Sequence, residues 1–168
     1  GIIDGTVDAF IGLGGNFLRA VPDHGQMEKA WTKMRLTVQV ATKLNRGHLF
    51  NGKTGFLLPC LGRIEKDRQA TGEQIVTVED STAVIHRSKA LSEPASPDLL
   101  SEAKIVAEIA KATLPYNPKV PWDSWVGDYS KVRDAIEATY PDQFKDFNRR
   151  IMEPKGFRRP IAASHREW

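Results

Sequence analysis

The chain has 168 residues, 40% of them hydrophobic and 27% charged, with a formal net charge of only +3. That composition is globular and excludes intrinsic disorder as the main state. A single cysteine excludes a disulfide framework, a cysteine-based zinc site and a cysteine-ligated iron–sulfur cluster within these residues.

No apolar run reaches the ~20 residues of a membrane span, and no signal-peptide pattern opens the chain. A soluble, cytoplasmic protein is expected. The sequence starts without methionine in what reads as ongoing structure, so we expect a piece of a larger polypeptide.

Residues 6–13 form a short apolar run closed by Gly14-Gly15-Asn16, which reads as a buried strand. Residues 26–35 place Met27, Ala30, Trp31 and Met34 on one helical face, and Asp23 stands where a cap belongs. Residues 36–41, Leu-Thr-Val-Gln-Val-Ala, are β-branched and mostly apolar, predicting a second strand. Strand, helix and strand in so short a span make a βαβ unit, whose strands run parallel.

A third buried strand is predicted over 54–58, stopped by Pro59, with room for one or two helical turns in 42–53. Residues 74–79 and 83–86 read as short strands, and 92–97 as a proline-bound loop. Residues 98–112 form the strongest helix, with Leu99, Leu100, Ala103, Val106, Ala107, Ile109 and Ala110 on its apolar face. After Pro115, Pro118 and Pro121, short helices are predicted over 122–129, 130–140 and 142–152.

These elements imply an α/β fold. We expect a three-layer, Rossmann-like domain with a mostly parallel sheet over residues 1–114, and a short helical, proline-containing extension over 115–168.

Candidate chemistry is sparse. Gly12-Leu13-Gly14-Gly15-Asn16 would let a backbone approach a nucleotide. It lacks the G-x-G-x-x-G spacing and the later acid, and a tight turn between strand and helix is the favoured account of it. Cys60 reads as a small, half-buried residue. His24, His48, His86 and His165 show no metal-binding spacing, and the aromatics Trp122, Trp125, Tyr129 and Tyr140 read as core. Glu65, Asp67, Glu79 and Asp80 read as loop charges. The last twenty residues, from Arg149, hold six basic and two acidic side chains, but two prolines and a glycine break any continuous basic face. Neither nucleic acid nor membrane is expected as a partner, and no catalytic set or metal ligand set is visible.

Several stretches, in order, resemble the molybdopterin-dependent oxidoreductases of the formate dehydrogenase and dimethyl sulfoxide reductase superfamily. The nearest likeness is to its formate-dehydrogenase-like, acid-resistance-associated branch. Phe10 to Phe17 resembles that superfamily's strand and G-x-N-P loop, with Phe17 in place of the proline. Residues 36–45 resemble its next strand and threonine-containing turn, with Val40 where many members have an aspartate. Leu57-Leu58-Pro59 resembles its V-I-L-P strand end, and Glu65-Lys66 its W-x-E-K/H segment. Glu93-Pro94 with Ser101-Glu102 resembles the E-P…[ST]-D stretch. The likeness covers about residues 7 to 114.

The resemblance implies a segment that binds molybdenum bis(molybdopterin guanine dinucleotide) and is inactive alone. It implies cofactor contacts at Gly14, Gly15, Asn16, Gln39, Thr42, Lys66 and Glu102. In that reading Gly14 to Asn16 face the dinucleotide's phosphates or sugar, Lys66 meets a phosphate, and Glu102 accepts from guanine. The metal ligand, a 4Fe-4S cluster in an N-terminal region and a C-terminal barrel would lie elsewhere in the same polypeptide, which would serve a redox partner. The competing reading is a stand-alone α/β module that binds a nucleotide or a protein without redox chemistry. Flanking gene sequence separates the two.

Overall fold

The computed structural model of the chain describes residues 1–158. The basic C-terminal stretch runs past them, so Arg159 to Trp168, His165 included, lie outside the described residues. The chain divides into two compact units. The first comprises residues 1–62 and 96–102, and the second residues 63–95 and those from 103 onward.

In the first unit, β1 (Ala9–Leu13), β2 (Leu36–Ala41) and β3 (Thr54–Pro59) form a parallel sheet in that order. Ile11 lies opposite Val38, and Val38 opposite Phe56. The expected α/β class with a parallel sheet is what the structure shows. Central β2 is the buried strand, with Thr37, Val38 and Val40 all inside, whereas β1 and β3, expected to be buried, are edge strands that leave Ile11, Leu13, Phe56 and Leu57 exposed.

Between β1 and β2 run α1 (Phe17–Ala20), which the sequence did not predict, and α2 (His24–Trp31). The Asp23 carboxylate accepts from the Gln26 N–H at 3.0 Å, so α2 begins at once after Asp23. It ends earlier than the predicted 35, because the Arg35 and Leu36 N–H groups both donate to the Asp8 carbonyl and start β2. Trp31, Leu18 and Met34 pack as a cluster. Phe10 of β1 reaches it with ring centroids 4.7 Å from Trp31. A 3₁₀ turn, Arg46–Leu49, occupies the predicted helical stretch before β3.

In the second unit, β4 (Arg68–Gln69) and β5 (Gly72–Glu73) form a small hairpin. Then β6 (Val76–Glu79), β7 (Val84–Ser88) and β8 (Phe157–Arg158) form an antiparallel sheet. The strands predicted near 74–79 and 83–86 thus pair with each other and stand apart from the parallel sheet. Their connection decides this. Asp80 Oδ1 accepts from the Thr82 and Val84 N–H groups at 2.8 and 3.1 Å, and Ala83 takes φ +61°. So short a link can only fold a hairpin, since a parallel return needs a long crossover.

Helix α3 (Glu102–Thr113) starts later than predicted, and Ile105, Ala107 and Ala110 are its buried residues. Residues 98–101 stay out of it because Leu100 bridges to Cys60, its carbonyl accepting from the Leu61 N–H at 2.9 Å. Next come α4 (Trp122–Gly127) and α5 (Tyr129–Thr139). The last predicted helix is split into α6 (Pro141–Phe144) and α7 (Phe147–Arg150) by Asp146, at φ +57°. Glu137 of α5 explains the break, since its carboxylate accepts from the Asp146 and Phe147 N–H groups at 2.8 and 3.0 Å. The unit's core gathers Ile85, Phe147, Ile151 and Phe157, with Ile136 and Phe144 packed against them. Of the aromatics expected to cover core, Tyr129 is buried and hydrogen-bonded to Asp67, whereas Tyr140 is exposed.

Candidate functional site

Loops diverge at the carboxyl ends of parallel strands, and there the first unit gathers its polar groups. Leaving β1, Gly14 and Gly15 both take left-handed conformations, φ +63° and +68°. Only glycine adopts two in a row without strain. The Gly14 N–H donates to the Val40 carbonyl at 2.7 Å, tying the turn back to β2.

A Cβ placed on Gly15 would meet open space, and one on Gly14 would lie 3.7 Å from Glu102 Oε1. The structure therefore brings Glu102, at the start of α3, beside the glycine turn. Asn16 follows as the residue before α1 without capping it through its side chain. Among the described residues its Oδ1 is buried and has no hydrogen-bond partner.

The loop after β2 clamps this corner. Asn45 Nδ2 donates to the Gly15 carbonyl at 2.9 Å, and Asn45 Oδ1 accepts from the Gly47 N–H at 2.8 Å. His48 Nδ1 in turn accepts from the Asn45 N–H at 3.1 Å. A Cβ on Gly47 would stand 2.7 Å from Asn16 Oδ1, so the corner needs glycine there for space. Sequence reasoning did not place Asn45, Gly47 and His48 in the site. The available signal was the Asn-x-Gly pattern, typical of a side-chain-to-backbone turn.

Thr42, exposed, leaves β2 at this same end of the sheet. Gln39 lies farther back in the strand, half-buried, opposite Gly12 and Leu57. Cys60 is buried just past β3.

Lys66 belongs to the second unit, where its ammonium lies 2.7 Å from Glu93 Oε1 and 3.8 Å from Glu73. Arg68 donates to both Glu93 oxygens, at 2.7 and 2.9 Å. Glu65, the residue before Lys66, accepts from the Ala95 N–H at 2.7 Å. The Glu65-Lys66 and Glu93-Pro94 stretches are thus direct neighbours.

Arg68 first, then Lys66, hold the Glu93 carboxyl down to about 2, and Glu93 raises Lys66 above the usual lysine range. A depressed carboxyl stabilises the fold above its ordinary range and loses that contribution as pH falls through about 2. Carboxyl NMR titration is expected to find Glu93 near 2, and Arg68→Ala to move it upward. Because the pair is exposed, salt should weaken the effect. A Glu93 midpoint in the ordinary range would refute the cluster.

Chemically, the first unit's corner is rich in acceptors. A carboxylate accepts only, and Glu102 presents one beside the Gly14 turn, while Asn16 Oδ1 is a second acceptor buried against Gly47. This set suits a ligand edge with several N–H or O–H donors. A phosphate placed against Glu102 would meet like charge. Among the described residues no three His, Cys, Asp or Glu side chains group closely enough to hold a metal ion. No helix of the described residues is long and apolar enough to cross a membrane.

No family model matches the chain. It is 46% identical over 167 residues to the protein YdeP of Escherichia coli strain K12, which covers 99% of this chain and 22% of that protein. A similar match, 42% identical over 157 residues, joins it to the uncharacterized oxidoreductase Rv2900c of Mycobacterium tuberculosis, covering 94% of this chain and 20% of that one. The chain spans about a fifth of the length of the curated relatives it matches.

Proposed function

We propose that this chain is the cofactor-binding segment of a cytoplasmic oxidoreductase that resembles formate dehydrogenase and uses molybdenum bis(molybdopterin guanine dinucleotide). The oxidoreductase name of the mycobacterial relative supports the redox class. The observation that carries the finer reading is the Gly14-Gly15 turn with Glu102 beside it and the unpartnered Asn16 Oδ1 turned inward.

The residues fit the nucleotide end of that group. Guanine presents N1–H and N2–H₂ on one edge, and a carboxylate accepts both at once. Glu102 would hold that edge, Asn16 would fix the turn from its buried position against Gly47, and Thr42 would offer a hydroxyl at the rim. Gly14 and Gly15 leave the backbone open to close approach, and Asn45 keeps them in place. When bound, the molybdenum centre would supply two-electron redox chemistry. These residues orient and retain the group and contribute no proton transfer of their own. On this reading the N-terminal iron–sulfur region, the barrel and the redox partner are contacts of the whole polypeptide.

The test uses the full-length polypeptide expressed with molybdate. Acid hydrolysis is expected to release GMP in proportion to bound molybdenum, and protein that carries molybdenum without guanine nucleotide would defeat the proposal. Glu102→Gln removes a charge-assisted acceptor and is expected to weaken retention by about 1.5–3 kcal/mol.

A further inference from the structure

Residues 51–55 tie the start of β3 to the chain that enters β2. The Lys53 and Thr54 N–H groups donate to the Met34 and Arg35 carbonyls at 2.9 and 3.0 Å. The approach is so close that a Cβ on Gly52 would stand 2.7 Å from the Met34 carbonyl oxygen and 3.3 Å from Thr37 Cγ2. Only glycine fits there. Asn51 precedes it, exposed, with its side chain against Gly55, where an added Cβ would lie 2.8 Å from Asn51 Cβ, Cγ and Oδ1.

An asparagine followed by glycine carries a chemical liability. The next backbone nitrogen, once it loses its proton, attacks the side-chain Cγ, and glycine hinders that approach least of all residues. The N–Cγ bond forms, the Cγ–Nδ2 bond breaks and ammonia leaves, giving a cyclic imide. Water then opens the ring to aspartate or isoaspartate. Packing at Met34 imposes the glycine, and the same corner restrains the reaction. The Gly52 N–H donates to Thr37 Oγ1 at 3.0 Å, and Thr37 is fully buried in β2. Asn51 Nδ2 donates to the His48 carbonyl at 3.3 Å. Nucleophile and electrophile are thus held by different partners, and ring closure must swing the Gly52 amide off the Thr37 hydroxyl.

We propose that Asn51 is a conditional deamidation site, guarded by the Thr37 hydroxyl while this corner is closed and modified once it opens. The product cannot re-enter the fold unchanged. Aspartate lacks the Nδ2 donor that meets the His48 carbonyl, and isoaspartate adds a backbone carbon where Gly52 is already in close contact. Deamidation here is a one-way record of opening, since chemical modification makes unfolding irreversible. It is independent of any ligand.

Full-length polypeptide is incubated in mildly alkaline buffer, native and in urea, and peptide mapping by mass spectrometry scores conversion of the Asn51 amide to an acid. Native protein is expected to convert at least about 10-fold more slowly, as for a site reached only through local opening. Thr37→Val keeps the branched shape without the hydroxyl and is expected to raise the native rate roughly 5-fold, the equivalent of one hydrogen bond. Thr37→Ser keeps the hydroxyl but loses a buried methyl, and its rate is expected to stay nearer the wild type. A merely structural role for Thr37 would not separate the two in that order. Should the valine variant not fold, Thr37→Ala takes its place, because it differs from the serine variant by the hydroxyl alone. Equal rates in native and urea-treated protein, no acceleration on losing the hydroxyl, or a serine variant as fast as the one without it overturns the proposal.

Discussion

Trp31→Ala is expected to destabilise the first unit by about 3–5 kcal/mol, the range for removing a fully buried tryptophan. Trp31 is 1% exposed and joins three elements. Its ring lies 4.7 Å from Phe10 of β1 and 5.7 Å from Phe17 of α1, and its Nε1 donates to the Phe50 carbonyl at 3.0 Å, just after the 3₁₀ turn. Truncation leaves both a cavity and an orphaned carbonyl. Trp31→Phe keeps ring packing and loses the hydrogen bond, so it should cost about 1–3 kcal/mol. Leu49→Ala, at a side chain 77% exposed, should cost almost nothing. Urea denaturation followed by circular dichroism ranks the three. A Trp31→Ala cost below that of Leu49→Ala would refute this core. Phe17 adjoins Asn16, so on the proposed function loosening this cluster should also reduce guanine nucleotide retention in the full-length polypeptide.

Gly156→Ala is expected to cost the second unit about 2–5 kcal/mol. Two penalties coincide. Gly156 sits at φ +59°, where a non-glycine residue pays roughly 1–2 kcal/mol. A Cβ there would also overlap the Ile85 carbonyl oxygen and stand 2.8 Å from His86 Cβ. Relieving such an overlap by shifting backbone costs a further 1–3 kcal/mol or so. The strain falls where Phe157 of β8 meets Ile85 of β7 and the ring of Phe147. Gly72→Ala separates the two causes. Gly72 has φ +99° but open space around its Cβ position, so only the conformational penalty remains. Equal melting temperatures for the two variants would remove the steric half of the argument.

Local chemistry determined much of this protein. The β-branched run Leu36-Thr-Val-Gln-Val-Ala41 made β2 with the predicted bounds, because alternating branched side chains suit the buried centre of a pleated sheet. Asp23 marked the start of α2 because a carboxylate satisfies amide groups only two or three residues away. The paired glycines announced a turn after β1 for the same local reason. Family resemblance, not pattern alone, singled out Glu102, and the structure sets it beside that turn.

Tertiary structure decided the rest wherever the partner is distant in sequence. Leu99 and Leu100 continue the apolar period of α3, yet the turn on Ser96 and the bond from Leu61 to the Leu100 carbonyl keep them out of it. Asn45 reaches Gly15 across thirty residues, and Lys66 reaches Glu93 across twenty-seven. Asp146 breaks a helix because Glu137, on another element, satisfies the amides its turn exposes. Hydrogen-bond partners within one turn of helix or one step of strand are written in neighbouring residues. Those that close a loop depend on where the whole chain has travelled, and only the folded backbone reveals them.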